Sequence, residues 1–164
     1  MNIMRVEHEF GPFFDSKSRV LILGTIPSPK SREQAFYYGH PRNRFWTVLA
    51  TVLGEDVPEN IEERKSMLTK HKIALWDVLE SCEIKGAEDA SIRNPKANNM
   101  NYILQNSDIR AIFTTGNKAT NLYNKLCRPE CNIEAIGLPS TSPANCAYSV
   151  DSLIEAYSVI LKYL

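Results

Sequence analysis

Four short apolar runs constrain this chain more than any other sequence feature, because each is followed by a polar loop and then by helix-like spacing. The runs occupy residues 19–23, 73–78, 111–115 and 133–136. Nearly continuous apolar runs of this length are typical of strands buried in a parallel sheet. Their alternation with helices predicts an α/β fold, a single-domain three-layer α/β/α sandwich with a central, mostly parallel four-stranded sheet over residues 1–164.

The predicted helices lie between these runs. Apolar residues recur at helical spacing over residues 45–53, 60–70, 100–106, 119–126 and 150–164. Residues 80–99 are polar and lack periodicity, so we expect a long functional loop there. The segment before residue 18 has weak strand character, and we expect Phe10, Phe13 and Phe14 to pack against the edge of the sheet.

The loops that follow the strands are expected to form a ligand site. Right-handed crossovers bring the carboxyl ends of parallel strands to one edge of the sheet, where α/β proteins bind ligands. The longest such loop carries Lys30, Arg32, Arg42 and Arg44 with only Glu33, which gives +3 in a chain whose formal net charge is zero. A uniformly basic surface is excluded, so any contact with nucleic acid must come from a local patch.

The cysteines and the hydropathy of the chain indicate the redox state and the cellular location of the protein. The four cysteines form no Cys-x-x-Cys pair, so we expect reduced thiols and a cytoplasmic location. Cys127 and Cys131, with two distant partners, leave an iron–sulfur or zinc site open as an alternative; otherwise we expect no metal and no cofactor. The sequence contains no signal-peptide pattern and no long apolar run, so we expect neither export nor a membrane partner.

The string Gly24-x4-Pro29-Lys30-Ser31 differs by one residue from a phosphate-binding P-loop, which has glycine immediately before Lys-Ser. Proline has no backbone N–H to offer a phosphate and a fixed φ. Nucleotide hydrolysis is therefore a minor alternative, with Asp77 as its candidate carboxylate after a strand.

Three motifs together resemble the uracil-DNA glycosylase superfamily. They are Leu23-Gly-Thr-Ile-Pro-Ser28, Phe36-Tyr-Tyr-Gly-His-Pro-Arg-Asn-Arg-Phe-Trp46 and Leu138-Pro-Ser-Thr-Ser142. The second motif is long enough to be specific, and the hypoxanthine-DNA (deoxyinosine) glycosylase branch is the most similar. The resemblance implies hydrolysis, without a metal, of the bond between a deaminated base and deoxyribose. It also implies that the base is flipped out of the duplex, which is easiest for mispaired hypoxanthine or uracil.

The resemblance assigns roles to residues of the first two motifs. Many relatives hold the attacking water with an acidic or amide side chain in the first motif, where this chain has Thr25, Ile26 and Pro27 as candidate base contacts. The deoxyinosine branch uses the asparagine of the second motif, which corresponds to Asn43. Capping of the predicted helix is the alternative role for this asparagine. Tyr38 corresponds to the aromatic residue that stacks on the flipped base, with packing under the loop as its alternative.

Recognition of the base is expected from two further strand ends. Asp77 stands where relatives read the base edge with an asparagine, and a carboxylate there accepts from N1–H of hypoxanthine or N3–H of uracil. A helix cap or a salt bridge is the alternative for Asp77. Leu138 replaces the polar first residue of the third motif, which removes a donor to the leaving base and argues against strong uracil activity.

DNA contacts are expected from hydroxyls and cations of these loops, because both groups bind phosphates. The candidates are Ser28, Lys30, Arg42, Ser140, Thr141 and Ser142. Ordinary turn composition or a solvated face is the alternative. The expected partner is double-stranded DNA with a deaminated base, or single-stranded DNA, without an obligate protein partner. No lysine is placed for lyase chemistry, so a monofunctional glycosylase is predicted, and a lesion-binding module without activity is the second hypothesis.

Overall fold

The computed structural model describes residues 3–8 and 10–164, and that part of the chain contains seven strands and seven α-helices. The strands are β1 (Met4–Glu7), β2 (Val20–Gly24), β3 (Ile73–Asp77), β4 (Leu79–Ile84), β5 (Arg93–Ala97), β6 (Ala111–Thr115) and β7 (Ala135–Leu138). The α-helices are α1 (Pro29–Gln34), α2 (Phe45–Leu53), α3 (Ile61–Lys70), α4 (Asn101–Leu104), α5 (Asn117–Leu122), α6 (Arg128–Cys131) and α7 (Val150–Tyr157).

The core of the fold is a parallel four-stranded sheet with the strand order β3, β2, β6, β7. Val20 pairs with Ile73 on one side of β2 and with Ala111 on the other. Every residue of β2 and of β3 is buried, as expected for strands that are covered on both faces. The predicted α/β fold with a central parallel four-stranded sheet is confirmed.

This strand order creates a crevice at one edge of the sheet. The chain runs outward from β2 to β3, and later returns to β6 on the opposite side of β2 before it continues outward to β7. The connections after β2 and β6 therefore leave the sheet in opposite directions. The carboxyl ends of these two strands border the crevice, which is where open α/β sheets bind ligands.

The expectation of a long loop over residues 80–99 is wrong. β4 and β5 form an antiparallel hairpin there, and β1 pairs with β4 to complete a second, three-stranded sheet. Both hairpin strands are rich in polar residues, β5 is largely exposed and it contains Pro95. The segment therefore lacks the apolar pattern that identifies a strand in a sequence.

Several predicted boundaries also shift. The loop between β2 and α2 contains α1, which the Ser28 hydroxyl caps by accepting from the Ser31 backbone N–H. The fourth strand begins and ends two residues later than predicted, because Asn132 ends α6 in a left-handed conformation and Leu138 still pairs with Thr115. The helix after Gly116 changes to a π-helical turn over Tyr123–Cys127, and α7 continues as a 3₁₀ turn over Ser158–Tyr163.

Other predictions for the scaffold are confirmed. α2 and α3 have nearly the predicted bounds, and Gly54 ends α2 with a φ of 70°. Phe13 forms an antiparallel bridge with Leu75 of the edge strand β3, and Phe10 and Phe14 pack against the core. Within the described residues, no helix is both long and apolar enough to cross a bilayer.

Candidate active site

A cavity of about 160 Å³ lies in the crevice between the ends of β2 and β6. An enclosed cavity of about 150 Å³ holds benzene. A planar base therefore fits this cavity when part of the base extends toward solvent. The structure brings six of the predicted catalytic and base-binding residues together in its wall: Thr25, Ile26, Pro27, Tyr38, Asn43 and Asp77.

Asn43 lines the cavity with its amide held in one orientation. Its Oδ1 accepts from the Phe45 backbone N–H at 2.9 Å and from the Thr141 hydroxyl at 2.7 Å. Because a backbone N–H only donates, the amide oxygen must face Phe45 and Nδ2 must point elsewhere. Nδ2 has no hydrogen-bond partner within residues 3–8 and 10–164. Asn43 lies one residue before Arg44, the N-cap of α2, so the predicted N-cap role is wrong; its Oδ1 nevertheless satisfies the N–H of the first helical residue, and Nδ2 remains a donor for a molecule in the cavity.

The Tyr38 ring is held rigidly in the cavity wall. It stacks on the Phe45 ring, with centroids 3.8 Å apart and planes 9° apart. Tyr38 has a φ of 52°, a left-handed conformation that is strained for a bulky residue, and Trp46 Nε1 donates to its carbonyl at 3.2 Å. Tyr37 is buried and donates to the Gly11 carbonyl at 2.9 Å, so the prediction that one tyrosine of the pair packs under the loop is confirmed.

The Tyr38 hydroxyl is also fixed. It lies 3.3 Å from Thr115 Oγ1, which donates its single proton to the Leu23 carbonyl, so the tyrosine is the donor of this pair. Burial and then the nearby Asp77 carboxylate raise the pKa of Tyr38 well above its usual value, against a smaller lowering by the Thr115 hydrogen bond. Tyr38 therefore remains a neutral phenol whose ring presents no charge to a base.

Asp77 brings a buried carboxylate to the cavity. Its side chain is 6% exposed, and Oδ2 lies 2.8 Å from Nε2 of His8, whose side chain is 2% exposed. Its Oδ1 faces Gly24, where a Cβ atom would lie only 2.5 Å from that oxygen. Glycine at the end of β2 therefore makes room for the carboxylate. His8 was not selected from the sequence, because only the long-range pairing of β1 with β4 brings it to this place.

The hairpin between β4 and β5 supplies another wall of the cavity. Gly86, Ala87 and Asp89, near its turn, line the cavity together with the strand loops. A functional segment was expected here from the sequence, but none of these residues was selected. Their composition is that of an ordinary surface turn, so no sequence signal distinguishes them.

The predicted hydroxyl groups divide into two kinds. Ser28, Ser140 and Ser142 line the cavity, and Ser140 Oγ accepts from the Ser142 backbone N–H at 3.1 Å. Thr141 is 2% exposed and donates to Asn43. Thr141 therefore supports the asparagine, whereas the serines are placed to meet a ligand.

Leu138 does not line this cavity. It is buried in β7 beside Thr115 and borders a neighbouring hollow together with Tyr148. The chain reaches the cavity wall only two residues later, at Ser140. The structure therefore separates Leu138 from the other predicted base contacts.

The cations of the basic loop also divide into two kinds. Lys30 is exposed and lies 3.4 Å from Glu33, and the exposed Arg42 side chain has no hydrogen bond or ion pair within the described part of the chain. Arg32 instead donates to the Pro27 carbonyl at 2.8 Å. Arg44 is likewise occupied within the fold.

Arg44 joins the start of α2 to the loop after β7. Its guanidinium donates to backbone carbonyls of that loop, at 3.4 Å for Thr141, 2.9 Å for Ser142 and 3.0 Å for Asn145, and also to Tyr148. Hydrogen bonds from a charged group are stronger than neutral ones. Arg44 therefore holds the loop that carries the cavity-lining serines.

Substitution Arg44→Ala is expected to lower the free energy of unfolding by about 2–3 kcal/mol, because it leaves several carbonyls without their charged donor. Urea unfolding followed by circular dichroism measures the change. Arg42→Ala is the matched control, with an expected change within about 0.5 kcal/mol. Equal effects of the two substitutions would contradict the role of Arg44 as a loop anchor.

The cysteines do not form a metal site within the residues that the structure describes. Cys82 and Cys127 are buried, Cys131 is half-buried and Cys146 is exposed. Burial and then the nearby Cys131 raise the pKa of Cys127 to about 12. This thiol is therefore protonated at neutral pH.

Comparisons with known proteins relate most of this chain to DNA glycosylases. The family model described as Uracil DNA glycosylase superfamily matches residues 12–161. A protein of Methanosarcina barkeri called Hypoxanthine DNA glycosylase is 32% identical over 137 residues, which cover 83% of this chain and 86% of the relative. Its namesake in Methanosarcina acetivorans is 32% identical over 146 residues, with 88% of this chain and 91% of the relative covered.

The fold has a counterpart among solved structures. A solution NMR structure of a Methanosarcina acetivorans protein, provisionally assigned as a uracil DNA glycosylase, superposes with a TM-score of 0.77 at 27% identity. The superposition covers 93% of this chain and 96% of that one.

Proposed function

This chain belongs to the uracil DNA glycosylase superfamily, and from this premise we propose that hypoxanthine in DNA is its main substrate, with uracil as a second one. The protein is a DNA glycosylase for deaminated bases: water replaces the base at C1′ of deoxyribose and leaves an abasic site. The names of the two Methanosarcina relatives support hypoxanthine. The observation that carries the proposal is the meeting of Asn43, Tyr38 and Asp77 in one cavity.

In the proposed mechanism Asn43 places the attacking water. Its free Nδ2 donates to the water oxygen, while the two hydrogen bonds to Oδ1 prevent rotation of the amide. An amide does not take a proton from water. Positioning is sufficient, because the bond to the base is largely broken in an oxocarbenium-like transition state and a fixed water then needs little activation.

Tyr38 and Asp77 hold the flipped base. Phe45 supports the Tyr38 ring from behind, and stacking of a base on such a ring contributes about 1–3 kcal/mol. Asp77 Oδ1 accepts from N1–H of hypoxanthine or N3–H of uracil, whereas N1 of adenine carries no hydrogen to donate. Thr25, Ile26 and Pro27 complete the pocket. The site therefore reads the donor that deamination of adenine creates.

The DNA strand is proposed to lie along the mouth of the cavity. Ser28, Ser140 and Ser142, which line the cavity, are proposed to contact phosphates, and the exposed Lys30 and Arg42 are proposed to add electrostatic attraction. We propose a duplex with a mispaired deaminated base as the preferred form, since flipping is easiest there; single-stranded DNA is the alternative. We also propose that the protein is located in the cytoplasm.

Removal of the exposed Lys30 and Arg42 side chains is expected to weaken DNA binding equally for all DNA sequences. In Lys30→Ala/Arg42→Ala the slope of log Kobs against log salt concentration is expected to become less negative by about 0.9 for each lost phosphate contact. Fluorescence anisotropy with a labelled duplex at several salt concentrations measures the slope. Lys162→Ala, an exposed lysine in the C-terminal 3₁₀ turn, is the control; an identical slope in both variants would refute these contacts.

An excision assay tests the proposed activity. The folded protein is incubated with duplexes and single strands that carry deoxyinosine, deoxyuridine or only normal bases, and alkali then cleaves abasic sites. We expect alkali-dependent breaks at deoxyinosine, fewer at deoxyuridine and none in normal DNA. Breaks without alkali would contradict the monofunctional mechanism. Absence of excision from every substrate would refute the function.

A lesion-binding module without activity is the second candidate. It is favoured by one observation: the first motif presents Thr25 and Ile26 instead of a water-holding carboxylate. A module of this kind binds inosine-containing DNA, forms no product and keeps its affinity after Asn43→Ala. Product formation by the wild-type protein decides against it.

A further inference from the structure

His8 and Asp77 form a buried pair beside the cavity, of which the proposed mechanism uses only Asp77. The His8 ring packs against Phe10 and Tyr37, with centroid distances of 4.7 and 5.8 Å. Its Nε2 lies 2.8 Å from Asp77 Oδ2, and both side chains are almost completely buried. Because a carboxylate only accepts, His8 Nε2 carries the hydrogen of this bond.

The pair leaves one carboxylate oxygen for the ligand. Oδ2 is occupied by His8, whereas Oδ1 lies next to Gly24 in the cavity wall, close to the Tyr38 hydroxyl. Gly24 has no side chain that would cover Oδ1. The hydrogen bond to His8, whose ring packs against Phe10 and Tyr37, holds Oδ2 away from a ligand.

Purine recognition depends on how many oxygens the carboxylate offers. A carboxylate with two available oxygens binds two adjacent donors, such as N1–H and the 2-amino group of guanine. Hypoxanthine has N1–H but only a hydrogen on C2, so it needs one acceptor. Guanine bound to Asp77 would bury one amino hydrogen without an acceptor, and unpaired buried donors are penalised.

We propose that His8 is a positioning residue for base specificity: by occupying Oδ2 it makes Asp77 a single acceptor, so that the pocket accepts hypoxanthine and rejects guanine. This inference rests on the proposed function and deepens it. The hydrogen bond from His8 also explains why a carboxylate is tolerated beside a base that gains negative charge as it leaves, because the His8 N–H offsets part of the charge of Asp77.

The test compares two bases in three proteins. Wild type, His8→Phe and His8→Gln are assayed for release of hypoxanthine and of guanine from mispaired positions in otherwise identical duplexes. Phenylalanine keeps an aromatic ring but frees Oδ2, whereas the Gln amide donates from about the position of Nε2. In His8→Phe we expect the guanine-to-hypoxanthine ratio of kcat/KM to rise at least about tenfold, and in His8→Gln we expect it to stay near the wild-type ratio.

A second measurement does not depend on turnover. Free hypoxanthine and free guanine, as products, are titrated against each protein by isothermal calorimetry, and guanine is expected to bind His8→Phe but not wild type. Thermal unfolding shows that each variant is folded. An unchanged base ratio in His8→Phe, with both activities lowered in parallel, would overturn the inference while leaving the proposed function intact. A wild-type protein that releases no hypoxanthine would overturn both.

Discussion

Asn43→Ala is expected to lower the rate constant for hypoxanthine excision by about 10²–10³-fold, the range seen when one positioned hydrogen-bonding group is removed from an active site. The substitution removes the Nδ2 donor that we assign to the attacking water and the Oδ1 acceptor of the Phe45 N–H. Single-turnover assays with excess protein measure the chemical step directly. Binding of inosine-containing DNA, measured by anisotropy, is expected to change little.

Asn43→Ser separates the catalytic role of this residue from its structural role before α2. A serine hydroxyl can also accept from the backbone N–H two residues ahead, whereas alanine leaves the Phe45 N–H without this acceptor, which costs about 1–3 kcal/mol. The short serine hydroxyl, however, does not reach the water that the longer amide holds. We therefore expect Asn43→Ser to have nearly wild-type stability and an excision rate as low as that of Asn43→Ala. Wild-type excision by Asn43→Ser would show that Asn43 has only a structural role.

Three strands of the main sheet could be predicted closely from the sequence because they are buried on both faces, whereas β7 is largely half-buried and begins two residues later than predicted. Val20–Gly24 and Ile73–Asp77 are fully buried, so continuous apolar runs mark them. The second sheet could not be predicted, because every residue of β5 is exposed or half-buried and β4 pairs on its other side with the distant strand β1. Sequence patterns report burial of a segment, and they do not report which distant segment covers it.

The difference between local patterns and long-range pairing also explains which residues of the site could be predicted. Asn43 and Tyr38 were predicted because the second motif resembles that of known glycosylases, and Asp77 because it also stands at the end of a recognisable strand. His8 was missed because its environment is created by the pairing of Glu7 with Ser81, which no local pattern indicates. Leu138 was expected at the base, but the loop after β7 reaches the cavity only at Ser140.

Gly24→Ala is expected to have the second large effect, because the end of β2 touches the carboxylate that reads the base. The new Cβ atom would lie 2.5 Å from Asp77 Oδ1, and His8 holds the other oxygen in place. Either Asp77 or the strand end must move. Overpacking of this kind costs about 1–3 kcal/mol of stability, and displacement of the base-reading oxygen is expected to lower kcat/KM for hypoxanthine about 10²-fold.

Two controls identify the cause of this effect. Gly11→Ala introduces the same methyl group where no atom lies within 4 Å, so we expect only a small change in stability and activity. In the Asp77→Ala background the clash of Gly24→Ala disappears, and the two substitutions are expected to couple by about 0.5–3 kcal/mol in a double-mutant cycle. Additive effects would mean that the alanine acts through the backbone of β2. Coupling would instead show that glycine is required here because the carboxylate fills the space that a side chain would occupy.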